Sequence, residues 1–156
     1  MKITAQEEYG LRCLLQLARS PVGQVVSVKE VAAKEGLSSA YVEKLLRILS
    51  KAGLVHSMRG LKGGYALNRP ATQLTLGEVI RALGAMQTTD HICTIFTGKE
   101  DACVHFRDCG IRSVWSGLTN YIQSFLDQTP LASLLENEYA VSTRLARRWT
   151  SSTHIT

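Results

Sequence analysis

Two short apolar patterns meet at one glycine, and that junction restricts the fold more than any other feature of the chain. The segment SVKEVAAKEG has Ser27 where a helix cap belongs, Glu30 three residues on, and Gly36 as its stop. LSSAYVEKLLRILSKAG follows at once. It opens on a serine cap, ends at Gly53, and carries Val42, Leu45, Leu46 and Leu49 on one stripe. A helix, a tight turn at Gly36-Leu37-Ser38 and a second helix make a helix-turn-helix. After Gly53 the hydrophobic period changes, and LVHSMRGLKGGYAL reads as strand, glycine-rich turn and strand. A hairpin in that place is a wing. The expected fold class is mostly α with a small β-wing, a winged helix-turn-helix domain joined to a long helix.

The flanking segments fill in the rest. AQEEYGLRCLLQLARS sets Tyr9, Leu14, Leu17 and Ala18 at helical spacing, and PVGQVV is a turn and linker. TLGEVIRALG, residues 75–84, predicts a helix closed by Gly84, and residues 86–110 read as loop. IRSVWSGLTNYIQSFLDQ places Ile111, Val114, Trp115, Leu118, Ile122 and Phe125 at three- and four-residue steps, a long amphipathic helix. TPLASLLENE predicts a short capped helix, and STRLARRWTSSTHIT a basic, polar, mobile tail.

Charge separates the two halves. Residues 1–85 hold 12 Lys/Arg against 6 Asp/Glu, a net of +6, whereas residues 86–156 hold 6 against 7, a net of −1. The basic half is a surface for a polyanion or, on charge alone, an ordinary solvated face. A second helix of this kind fits the major groove. Its side away from the apolar stripe offers Ser39, Tyr41, Glu43, Lys44 and Arg47, and the wing tip offers Arg59 and Lys62 among glycines. That combination predicts DNA binding, with a winged helix used only for protein contacts as the bland alternative. The chain is 156 residues long, with 45% hydrophobic and 20% charged residues. No apolar run approaches a membrane span, and MKITAQEEYG has no signal-peptide core, so the expected location is cytoplasmic. There is no C-x-x-C in a βαβ setting, no glycine-rich nucleotide fingerprint and no placeable Ser/His/Asp set, so an enzyme is not expected.

Cys93, Cys103 and Cys109 lie within 17 residues of a chain with four cysteines. In a reducing compartment such a cluster points to metal or redox chemistry. Three thiolates on one loop suit an iron–sulfur cluster. Zinc competes, although no short C-x2-4-C knuckle is present. A disulfide switch also competes, and it leaves one cysteine over. Cys13, among Leu11, Leu14, Leu15 and Leu17, reads as a small buried hydrophobe.

The chain resembles the IscR/NsrR/RirA family of bacterial iron–sulfur winged-helix regulators over roughly residues 1–136. The resemblance is carried by MKITAQEEYGLRCLLQLA, GLSSAYVEKLLRILSKAGLV, RGLKGGYAL, LTLGEVI, the three-cysteine loop and TPLASLL. It implies a DNA-reading domain over 1–85, a cluster-binding loop over 86–110, a dimerisation helix with a short following helix over 111–136, and a basic tail over 137–156. It implies a homodimer that crosses its long helices, binds a palindromic operator and acts as a repressor whose DNA affinity follows cluster state. Iron, redox state and nitric oxide are the candidate signals. The family's reading positions match Ser38, Ser39, Tyr41, Glu43, Lys44, Arg59 and Lys62, with Ala40 departing by lacking a polar group. IscR-like members carry a histidine three residues after the third cysteine, where this chain has Arg112, which cannot ligate. NsrR-like members use an acidic residue of the first helix from the partner subunit. Glu8 matches it, with Glu7 beside it and His105 and His91 as the other donors. Glu8 could instead pair with Arg12 one turn on. Three cysteines and an acid favour a 4Fe-4S cluster, with 2Fe-2S as the other form. The alternative function is a cluster-free winged-helix repressor answering a small molecule, thiol oxidation or a protein partner.

Overall fold

The computed structural model describes residues 3–60, 63–84 and 92–151. Helix α1 (Ala5–Ala18) begins at a capping box in which Thr4 and Glu7 satisfy each other's orphan backbone groups. Helix α2 (Val28–Glu35) is capped by Ser27 and closed by Gly36 in the left-handed region, φ 67°. An L side chain is strained there, so glycine makes the turn cheaply. Helix α3 (Ser39–Lys51) follows, with the Ser38 hydroxyl accepting from the Tyr41 amide at 3.3 Å.

The α3 stripe organises the core. Val42, Leu45, Leu46 and Leu49 are fully buried among Cys13, Leu14 and Leu17 of α1, Val31 of α2, and Leu74, Val79 and Leu83. Each such side chain is worth roughly 1.5–3 kcal/mol of transfer free energy. Strands β1 (Val55–Met58) and β2 (Gly64–Leu67) then pair antiparallel, with Val55 opposite Leu67 and Ser57 opposite Tyr65. The linker before α2 joins this hairpin, because Val26 and Tyr65 exchange two backbone hydrogen bonds of 2.9 Å. A side chain at Gly64 would collide with the Val26 carbonyl, which explains the small residue there.

Helix α4 (Leu76–Ala82) begins at a second capping box, Thr75 with Glu78. Gly10 of α1 lets Leu83 pack directly on that helix; a Cβ there would lie 2.5 Å from Leu83 Cδ2. A short helix α5 (Ile92–Ile95) precedes the long helix α6 (Gly110–Asp127). Helix α6 attaches to the core at its C-terminal end. Asp127 accepts from Arg81 at 2.7 Å, and the next residues clasp the segment before α4, with Leu76 N–H to Thr129 O at 2.9 Å and Leu131 N–H to Leu74 O at 2.8 Å. Elsewhere α6 is uncovered. None of its residues is fully buried, and Ile111, Val114, Trp115, Leu118 and Tyr121 are exposed.

Three expectations change. Residues 131–135 form a 3-10 turn (Leu131–Leu135) with no side-chain cap, because Pro130 opens it in place of a hydroxyl residue. The stretch expected as loop contains α5. The C-terminal segment expected as a mobile tail is helix α7 (Glu138–Ser151), whose Ala140 amide is capped by Asn137 and whose Arg144 pairs with Glu136. Its thin apolar stripe, Val141 and Leu145, meets Leu76, Phe125 and Leu134 around a cleft of about 150 Å³. Among the described residues no helix is long and apolar enough to cross a membrane.

Glu78 ties the α4 cap to the segment after the wing. Arg69 donates to it at 2.8 Å, and that bond, followed by the Thr75 amide, holds its carboxyl below the ordinary carboxylate range. The folded chain therefore binds this proton less readily than the unfolded chain. The resulting stability is present above the ordinary carboxylate pKa and is lost as pH falls through the lower folded value. Glu78→Gln should lower the melting temperature near neutral pH, and the gap from wild type should narrow on acidification. Thermal scans across that range check it.

Candidate functional site

Helix α3 and the wing enclose an open cleft of about 740 Å³. Lys29, Arg47, Lys51 and Arg59 line it together with Glu43, Ser27, Ser50, Ser57 and the backbone of Gly63 and Gly64. Four cations against one carboxylate suit phosphate, and the two glycines let a phosphate approach the backbone. The cleft gathers residues from three elements. Arg47 and Lys51 follow from the four-residue step along α3. Lys29 comes from the start of α2, and only the fold brings it alongside.

The expected reading residues are not equivalent. Ser39 and Lys44 stand exposed on α3, and Arg59 is exposed on the wing. Ser38 is already engaged as the α3 cap. Tyr41 is half-buried and turned toward α1, its ring edge-on to Tyr9 at 6.1 Å between centroids. Glu43 is held from two sides, by Tyr65 Oη at 3.0 Å and Arg47 Nε at 3.1 Å. Burial first, and then the bond to Glu43, push the Tyr65 phenol above its ordinary value, so it stays a donor. Lys62 and His91 lie outside the described residues.

The cysteine loop has a different organiser from the one its sequence suggests. Cys109 caps α6, its Sγ accepting from the Arg112 amide at 3.4 Å. The Arg112 guanidinium reaches Cys93 Sγ at 3.9 Å, donates to Phe106 O at 2.7 Å and lies over the Phe106 ring at 5.7 Å. Arg112 stands where a histidine ligand would be; its backbone amide meets Cys109 and its guanidinium meets Cys93. Cys93, Cys103 and Cys109 are free and partly exposed. Among the described residues no three Cys, His, Asp or Glu side chains stand close enough to hold a metal ion.

Glu8 is exposed on α1. Its expected partner Arg12 binds elsewhere, donating from Nε to Glu35 at 2.6 Å across to the end of α2 and lying over the Tyr9 ring at 5.4 Å. A buried acceptor outcompetes an exposed one on the same helix, and Glu35 is only 7% exposed. Glu7 is buried and serves the α1 capping box. For a thiolate-held cluster the donors are right in kind, namely three free thiols with N–H groups directed at two of the sulfurs. Among the described residues, Glu8 forms no ion pair with a guanidinium, Arg12 being bound to Glu35. Cys13 is fully buried, and burial pushes its thiol up to about 11.

The fold and the cationic cleft define a winged helix-turn-helix DNA-binding protein. Residues 3–137 match the family model Rrf2, described as iron-dependent transcriptional regulator. The chain is 33% identical to protein rrf2 of Nitratidesulfovibrio vulgaris (Hildenborough), with 88% of this chain and 89% of the relative covered. Among solved structures, CymR (YrzC), the global cysteine regulator of B. subtilis, superimposes with a TM-score of 0.69 at 30% identity, covering 86% of this chain and 96% of that one. IscR of T. potens does so with a TM-score of 0.64 at 32% identity, covering 86% of each. The chain belongs to the Rrf2 family of transcriptional regulators, which are DNA-binding proteins rather than enzymes.

Brief alkylation at neutral pH should separate the cysteines. Cys93, Cys103 and Cys109 of the cluster-free protein should be modified, and Cys13 should react only after denaturation. Peptide mass mapping before and after denaturant reads this directly.

Proposed function

We propose that this regulator controls a palindromic operator as a homodimer, chiefly as a repressor, through an iron–sulfur cluster held by Cys93, Cys103, Cys109 and Glu8 of the partner subunit. The observation that carries the reading is the nearness of Cys93 and Cys109 to the head of α6, where Cys109 Sγ accepts from the Arg112 backbone amide at 3.4 Å and Cys93 Sγ lies 3.9 Å from the Arg112 guanidinium. The family's description as iron-dependent supports it. When bound, such a cluster supplies a centre that iron supply, oxidants or nitric oxide can alter. The chain's own contribution is to hold the sulfurs, and a hard carboxylate ligand makes one corner labile. Glu8 lies on α1, which packs against α3. Loss of the Glu8 contact would free the domain that α1 and α3 share to move relative to the partner subunit, and the two reading heads would shift.

The exposed α6 face supports dimerisation. Val114 is 67% exposed and Leu118 47%, in a row that two copies would cover. DNA contact is assigned to Ser38, Ser39, Tyr41, Glu43, Lys44, Arg59 and Lys62, with Lys29, Arg47 and Lys51 added for phosphate. A cluster-free regulator responding to thiol oxidation, a small molecule or a protein partner is the second reading. The lack of three converging donors among the described residues and the likeness to a protein called a cysteine regulator favour it.

Native mass spectrometry of protein isolated without oxygen should show a dimer carrying cluster mass, with 4Fe-4S expected. Substituting any of Cys93, Cys103 or Cys109 by Ser should remove that mass, and Glu8→Ala should shorten cluster lifetime under oxygen. An apo dimer in every preparation selects the second reading. Leu118→Asp should give monomer without operator binding. Arg59→Ala should weaken operator binding by about 1–3 kcal/mol if it reads a base, and affinity should fall steeply with salt.

A further inference from the structure

Glu43 has two carboxylate oxygens in unequal settings. Oε1 accepts from both Tyr65 and Arg47, and Oε2 accepts from no described residue. The two donors differ in rigidity. Arg47 is 72% exposed on a long flexible stem. Tyr65 is 5% exposed, sits opposite Ser57 in the wing, and is tied by two backbone bonds to Val26. Its hydroxyl is therefore a fixed point on which a three-torsion glutamate side chain is anchored.

A carboxylate only accepts hydrogen bonds. In a major groove the donors it can meet are the amino groups of cytosine and adenine, whereas guanine presents acceptors that repel it. Discrimination of that kind depends on where the free oxygen sits. An unanchored glutamate turns away from a mismatched base at little cost, while an anchored one cannot. We propose that Tyr65 is a specificity-positioning residue, whose hydroxyl pins Glu43 Oε1 so that Oε2 is presented to a base amino group. The wing strand thereby sets what α3 reads. The inference rests on the reading of α3 as the base-contacting helix.

The test uses the full chain isolated without oxygen and a randomised duplex library. Wild type defines the preferred site, and competition between single-base variants gives the preference at each position. Tyr65→Phe keeps the ring and its packing and removes the donor. It should relax preference by about threefold to tenfold, the range one hydrogen bond spans, and only at the base pair that Glu43→Ala also relaxes. In a Glu43→Ala background it should change nothing further. The salt dependence should stay at the wild-type slope, because no cation is removed.

Full wild-type preference in Tyr65→Phe, with Glu43→Ala relaxed, would overturn the proposal and leave α3 as the reading helix. Uniform weakening toward all sequences in Tyr65→Phe would make the hydroxyl a fold contact and overturn it as well. If Glu43→Ala itself changes no preference, or wild type selects no sequence, the underlying reading of α3 has failed.

Discussion

Everything that faces outward on this protein depends on the face of α3 that is buried. Val42, Leu45, Leu46 and Leu49 leave no room for α3 to rotate, because any rotation would trade a fully buried leucine for a polar side chain. That restriction sets the direction of Ser39, Glu43, Lys44 and Arg47 before any contact among them, such as the Arg47–Glu43 bond of 3.1 Å, is counted. It also seats the wing, since Leu54 N–H bonds Leu49 O at 3.0 Å and Val55 continues the same core. The polar cleft is a consequence of apolar packing one helical face away.

Helix α6 obeys the opposite rule. It is anchored by Asp127, Leu126 and the residues just beyond, and its apolar row is left in solvent. Under the proposed reading, a second copy covers that row. The cysteine loop sits at the free end of the same helix, with Cys109 as its cap. Under the proposed reading, a change at the three sulfurs therefore acts on the least restrained part of the molecule. Such a part moves at small cost, which suits a sensor.

Much of the domain was legible beforehand. Gly36 ends its helix as expected, and Gly53 and Gly84 mark the ends of theirs, all three at positive φ. Ser27 and Ser38 cap as their positions suggest. Helix α7 escaped because its apolar stripe is thin and its composition polar; Val141 and Leu145 line a cleft shared with Phe125. The 3-10 turn at Leu131–Leu135 escaped because its apolar run is equally compatible with an α-helix. Its geometry follows from Leu131 bonding back to Leu74.

The sequence by itself determined the local elements, the polarity of their faces and the grouping of three thiols on one segment. Those depend on spacing along the chain, where period and capping chemistry act over a few residues. Tertiary structure alone decided the partners. Arg12 turned from Glu8 on its own helix to Glu35 on another, Tyr41 turned to Tyr9, and Lys29 joined the cleft. Arg112, which reads in sequence only as a missing ligand, sends its guanidinium to Phe106 O at 2.7 Å and to within 3.9 Å of Cys93 Sγ. Charged and aromatic side chains are long enough to choose among several partners, and the choice goes to whichever partner the packed core has placed within reach and shielded from water.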